Sequence, residues 1–186
     1  MKLRIVAGSL GRRFITLDKQ SQDFRPTQER VRQAIAETIK LRIPGAAVVD
    51  LCAGSGAFGF EMASRGAASV HFVERDRNRA QSLSKHIELF ALTDRCTIFP
   101  LDVRTFIRSA RGPYDIVFYD PPYGDAGLAV LAGTVPALLS DQGILIYERD
   151  VSEVPPPNLF GALEFVRETR TYGDTAVEYV TRMPGL

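Results

Sequence analysis

Asp120-Pro121-Pro122-Tyr123 closes the apolar run Ile116-Val117-Phe118-Tyr119. Two consecutive prolines fix two φ angles, remove two backbone donors and push the residue before them into extended geometry. The result is a stiff loop that holds one carboxylate and one aromatic ring at a set separation. Such a loop suits an aromatic exocyclic amine, a poor nucleophile because its lone pair delocalises into the ring. The Asp120 carboxylate and a carbonyl within Pro121-Pro122 can accept from the two N–H groups of that amine. This draws the lone pair out of conjugation and aims it at an electrophile. Tyr123 can stack on the ring. The chemistry is then positioning and electrostatics, with no metal and no covalent nucleophile required. Alone, the tetrapeptide reads equally well as a rigid turn.

Its company decides. The stretch DLCAGSGAFG runs from Asp50 to Gly59, and Gly54, Gly56 and Gly59 match G-x-G-x-x-G. Glycines there permit a tight turn and close approach of a ligand to backbone at a positive helix N-terminus. Glu74 follows Gly54 by twenty residues, at the end of the next apolar run, where an acid can bond the ribose hydroxyls of an adenosine-type cofactor. A dinucleotide is the first candidate. Asp50 argues against it, because an acid four residues before Gly54 faces a pyrophosphate unfavourably and suits a cationic amino group. A dinucleotide enzyme also needs a substrate domain, for which little chain remains. The spacing D-x-x-x-G-x-G is similar to the cofactor loop of S-adenosylmethionine-dependent methyltransferases. Asp102, in Phe99-Pro100-Leu101-Asp102-Val103, falls where that class has an acid reaching the adenine amino group, although a helix N-cap explains it as well. Asp50, Glu74, Asp102 and Asp120 should line one edge, and four unpaired carboxylates there imply a ligand with several donors.

The elements that must position these groups alternate. Strands are expected at 46–51, 69–74, 96–99, 114–119 and 143–148. Helices are expected at 57–65, 76–90, 103–109 and, despite Pro136, 127–139. Repeated βα units of this length give a doubly wound α/β fold with a mostly parallel sheet. Two strand-like runs, 163–170 and 175–181, form a closing antiparallel hairpin. Ahead of the sheet, residues 3–7 and 12–17 read as a basic β-hairpin and 18–26 as irregular. Thr27 can cap a helix whose Val31, Ile35 and Ile39 share one face and which ends at Pro44-Gly45.

Composition fits a soluble globular protein: 186 residues, 45% hydrophobic, 24% charged. No apolar run reaches the ~20 residues of a membrane span, no signal peptide is visible, and two cysteines suit neither a disulfide framework nor a zinc site. The reducing cytoplasm is the expected compartment. Net charge is +1, but residues 1–42 carry ten Lys/Arg against four acids. A basic segment on an acidic body suggests a polyanion contact, with a solvated charged face as the plain alternative.

The D-P-P-Y loop resembles the catalytic motif of methyltransferases acting on exocyclic amino groups of nucleobases. With RIVAGSLGRR (4–13), RPTQERVR (25–32), the glycine loop and Val73-Glu74, nearly the whole chain resembles the bacterial 16S ribosomal RNA guanine-N2 methyltransferase family. The resemblance implies a seven-stranded Rossmann-like methyltransferase fold, with 1–24 as an RNA-contacting hairpin and linker and 25–186 as the catalytic domain. It implies S-adenosylmethionine as cofactor, and 16S rRNA or the assembling 30S subunit as partner of a monomer. Asp120, Pro121, Pro122 and Tyr123 would be catalytic. Asp50, Ala53, Gly54, Ser55, Gly56, Glu74, Arg75, Asp102 and Val103 would hold the cofactor. Arg4, Arg12 and Arg13 would grip phosphates, and Arg25 and Thr27 would border the active site. Cys52 stands where other small residues are common in the family, and the C-terminal tail is undistinguished.

Three other readings compete. A DNA adenine-N6 methyltransferase can use the same loop, but the chain lacks an obvious target-recognition domain. A non-catalytic RNA-binding assembly factor explains the basic segment and leaves Asp120-Pro121-Pro122-Tyr123 without purpose. A nucleotide-dependent oxidoreductase fits the glycines alone. His71, His86, Cys52, Cys96, Phe58, Phe60 and Phe72 read as structural, and Pro155-Pro156-Pro157 as a spacer.

Overall fold

A computed structural model of the chain describes residues 2–16, 29–109, 112–122, 131–154, 159–160 and 165–183. Tyr123, Arg25 and Thr27 lie outside them, as do Pro155-Pro156-Pro157. The central sheet has seven strands: β3 (Ala47–Leu51), β4 (Ser69–Val73), β5 (Cys96–Phe99), β6 (Tyr114–Tyr119), β7 (Leu139–Asp150), β8 (Phe165–Tyr172) and β9 (Thr175–Arg182). Their spatial order is β5-β4-β3-β6-β7-β9-β8. The first five are parallel, and β9 and β8 close the sheet antiparallel. The expected doubly wound fold with its closing hairpin is therefore the observed one.

Strands of such a sheet are covered on both faces, so neighbouring residues feed different cores. Along β6, Ile116 and Phe118 join a cluster with the helices α1 (Glu29–Thr38), α2 (Ala57–Ser64) and α3 (Arg77–Leu89). Val117 and Tyr119 join the opposite cluster, with Phe106 of α4 (Val103–Ser109) and Val135. The chain winds outward from β3 through β4 to β5, then crosses back to β6. The switch point thus lies between β3 and β6, where a doubly wound sheet opens a crevice at its carboxyl edge.

Three local expectations change. Within 127–139 the described backbone is a 3-10 helix over Ala132–Leu138, with Pro136 inside it. Proline carries no N–H and its ring crowds the carbonyl four residues back, so the α-helical ladder is interrupted there. The strand expected at 143–148 extends over 139–150. The helix predicted to run to Pro44 ends at Thr38 and continues as a 3-10 turn, Lys40–Arg42.

The N-terminal hairpin pairs β1 (Lys2–Arg4) with β2 (Phe14–Thr16). It is anchored by the main chain as much as by side chains. The Glu61 carboxylate accepts from the N–H groups of Val6 (2.7 Å) and Ala7 (3.2 Å), and Ser64 Oγ accepts from Leu10 N (2.9 Å). Thr16 N donates to His86 Nε2 at 3.0 Å, which leaves His86 Nδ1–H to donate to Ser82 O at 2.8 Å. His86 is structural, as expected. Ile5, Leu10 and Ile15 are buried in the same cluster as the helices.

Candidate active site

Asp50 is the penultimate residue of β3, with 2% of its surface exposed. Its Oδ2 accepts from Gly59 N at 3.0 Å, tying the strand to the helix that the glycine loop opens. Gly59 is required by contact: a Cβ there would meet Phe72 Cε1 at 2.3 Å, so helix and β4 would have to part. Burial raises the Asp50 pKa well above the usual carboxylate range; the Gly59 bond opposes this, and the charges of Asp120 and Glu74 add to it. An anion in such a place is stabilised by a cationic ligand.

Glu74, at the end of β4, bridges two segments. Its Oε2 accepts from Gly54 N and its Oε1 from Asp76 N, both at 2.8 Å, and Arg79 lies 3.2 Å from Oε1. Ala53 N donates to Val73 O at 2.8 Å, so the loop is fastened along its length. Asp102 accepts from Arg104 N at 2.9 Å and caps α4, while Arg75 and Arg104 stand 3.7 and 3.6 Å from its Oδ2. Four unpaired carboxylates on this edge imply a ligand with several donors, and a helix N-cap is the other reading of Asp102. In the structure Asp50, Glu74 and Asp102 each accept from backbone N–H groups, because each lies beside a loop or helix start with donors to spare.

Asp120 follows β6 next to this loop. Leu51 pairs with Tyr119, so Cys52 and Asp120 come one residue later on adjacent strands. Phe58 of α2 stacks on Phe118 at a centroid distance of 4.0 Å, which packs the helix that the glycine loop opens onto the strand that leads to Asp120. Pro121 is buried and Pro122 exposed. Asp50, the loop 53–56, Glu74 and Asp120-Pro121-Pro122 therefore share one edge at the switch point, with Asp102 and Val103 beyond β5. Arg4, Arg12 and Arg13 stand on the hairpin, exposed. Arg4 pairs with Glu29 at 2.8 Å, and the Arg13 guanidinium lies 5.8 Å over the Phe90 ring.

The structure adds two residues. Cys52 takes φ +61, a strained value for a residue with a side chain. Burial, then the charge of Asp120, pushes its thiol far upward, so it stays protonated and is no nucleophile. Glu148 is 2% exposed and follows Tyr147 on β7 as Asp120 follows Tyr119 on β6, in register. Its signal was in the sequence: an acid ending an apolar run, as at Asp120. Buried Arg32 of α1 feels the charges of Glu61, Glu29 and Glu148.

A model of the family described as "Conserved hypothetical protein 95" matches residues 3–181. The chain is 30% identical over 161 residues to "Ribosomal RNA small subunit methyltransferase D" of Escherichia coli (strain K12), covering 83% of this chain and 78% of that protein. It is 29% identical over 180 residues to "Putative rRNA methyltransferase YlbH" of Bacillus subtilis (strain 168), covering 94% and 96%. Among solved structures it resembles "Putative methyltransferase yhhF from Escherichia coli", with a TM-score of 0.82 at 26% identity over 98% of each chain.

Proposed function

The chain belongs to the ribosomal RNA methyltransferase family described as Conserved hypothetical protein 95, and from that premise we propose that it methylates the exocyclic N2 amino group of a guanine in 16S rRNA. The observation that carries the reading is the meeting of two loops at one switch point: the acid-bounded glycine loop on β3 and Asp120-Pro121-Pro122 on β6.

S-adenosylmethionine is the cofactor, and the residues present fit it. A buried carboxylate with a raised pKa suits a ligand with a cationic amine and opposes a pyrophosphate. Glu74 Oε2 accepts one backbone N–H and keeps a lone pair for a ribose hydroxyl, while Oε1 is shared between Asp76 N–H and the Arg79 guanidinium. Asp50 with Ala53, Gly54, Ser55 and Gly56 would hold the amino-acid end, Glu74 and Arg75 the ribose, and Asp102 and Val103 the adenine. When bound, the cofactor supplies an electrophilic methyl group on a sulfonium centre. Asp120 and a carbonyl of Pro121 or Pro122 accept from the guanine amino group and orient its lone pair; Tyr123 stacks on the base. Arg4, Arg12 and Arg13 hold phosphates, and Arg25 and Thr27, outside the described residues, would border the active site as the family resemblance implies. In this division of labour, residues 1–24 grip RNA and 25–186 perform catalysis. The acting unit is a monomer in the cytoplasm, working on 16S rRNA or the assembling 30S subunit. Among the described residues, no helix is long and apolar enough to cross a membrane.

Calorimetry with S-adenosylmethionine, followed by labelled methyl transfer to 16S rRNA, 30S particles and duplex DNA, tests the reading. The wild-type protein binds the cofactor and labels an RNA substrate. Asp120→Ala binds the cofactor and loses about 10²–10³ in kcat, the usual cost of one transition-state contact. Preferential labelling of DNA, or binding of NADH in place of S-adenosylmethionine, overturns it.

A further inference from the structure

Phe14 is the only exposed aromatic ring among the described residues, with 49% of its surface open. It is not needed for the core. On β2 it alternates with buried Ile15, so its side chain projects from the hairpin's outer face while Ile15 points inward. Its cross-strand partner is Arg4, and Lys2 opposite Thr16 lies on the same outer face. Arg12 and Arg13 precede it in the chain and are exposed. Residues 2–16 contain four cations and no acid.

A single exposed apolar side chain is ordinary on a protein surface. A flat ring on an anchored strand, with Arg4 across from it and Lys2 on the same face, is a different arrangement. Proteins that hold unpaired nucleic-acid strands combine these two parts: cations that track phosphates and rings on which bases stack. The carrier is rigid, since Val6, Ala7, Leu10 and Thr16 are all bonded to α2 or α3 through their N–H groups. Arg4 is available to a phosphate, because its ion pair with Glu29 is half exposed on both sides and such pairs contribute little.

We propose that Phe14 is a base-stacking platform for an unpaired nucleotide of the RNA substrate, with Lys2, Arg4 and Arg12 holding the flanking phosphates. The assignment rests on the proposed action on rRNA and adds to it a contact outside the catalytic edge. It predicts that the hairpin recognises an RNA segment by a ring as well as by charge. Recognition by charge alone falls with salt, one counterion per phosphate contact, whereas stacking does not.

The test compares wild type with Phe14→Ala and Phe14→Trp, binding protein-free 16S rRNA and assembled 30S particles across a salt series, with S-adenosylmethionine calorimetry as the control for folding. The side chain is exposed, so all three proteins should bind cofactor equally. Phe14→Ala weakens binding to free rRNA about tenfold, within the usual range for one stacked base. Its salt slope is unchanged, its KM for rRNA rises and its kcat holds; Phe14→Trp restores affinity. Equal affinity of wild type and Phe14→Ala for free rRNA overturns the assignment and leaves the methyltransferase reading standing. A defect confined to 30S particles overturns it in favour of a ribosomal-protein contact. If wild type transfers no methyl group to any RNA, the function fails instead, and the loss of RNA affinity in Phe14→Ala still tells whether the platform exists.

Discussion

Asp50 carries more of the electrostatics than its place before a glycine loop suggests. It is nearly sealed from water, faces Asp120 and Glu74, and has Gly59 N as a donor. Its folded pKa is raised, so the folded state holds the proton more tightly than the unfolded chain. Its contribution to stability is full below the ordinary carboxylate range and is lost as pH rises through the raised value. Asp50→Asn keeps an oxygen for Gly59 and cannot ionise. The melting temperature of the cofactor-free variant, minus that of wild type, should therefore increase from about pH 4 to about pH 8, spanning the usual carboxylate pKa and beyond. S-adenosylmethionine affinity should fall, since the countercharge for a cationic amine is gone. A difference that stays flat with pH, or an unchanged affinity, contradicts this account of the residue. The sequence showed the acids at their strand ends by spacing alone. It did not show that backbone N–H groups already occupy three of them, because those bonds depend on where a loop folds back onto a neighbouring strand. Cys52 is similar: its type suggested a small buried residue, and only the backbone reveals the positive φ beside Asp120.

At the scale of elements, the hairpin is held by contacts no periodicity encodes. Alternation in residues 3–7 and 12–17 predicted two strands, and Ile5 and Ile15 are indeed inward. The partners Glu61, Ser64 and His86 lie more than fifty residues away in the chain. Gly8 marks the tightest of these contacts. It has φ +80, and a Cβ there would lie 1.9 Å from Ser64 O. Gly8→Ala must strain the turn or lift it from α2, at a cost of roughly 1–3 kcal/mol. Thermal unfolding should then occur about 2–10 °C lower, at the few degrees per kcal/mol expected for a domain of this size. An unchanged melting temperature means that the hairpin is not anchored there. The helix expected across 127–139 is, within the described residues, a 3-10 helix over Ala132–Leu138, because Pro136 lacks the N–H that an α-helical ladder needs.

Across the whole molecule, function rests on topology. Repeated βα units made the parallel sheet legible, and the antiparallel β8 and β9 followed from two alternating runs around a turn. The sheet order brings residues seventy positions apart to one edge: Asp50 and Asp120 become near neighbours because β3 pairs with β6. Phe58 on Phe118 then makes the glycine loop and the Asp-Pro-Pro loop parts of one packed unit. The basic hairpin sits on the α1–α3 side of the sheet. In the proposed function this edge carries the methyl transfer and the basic hairpin holds the RNA, and the base that enters the edge is the central claim. Unmethylated 16S rRNA or 30S particles should be incubated with the protein and S-adenosylmethionine, digested to nucleosides and resolved by mass spectrometry, with Asp120→Ala in parallel. The account predicts N2-methylguanosine at one position with wild type and its near absence with Asp120→Ala. A methyl group on adenine, on a ring nitrogen or on ribose, or equal yields from the two proteins, would contradict it.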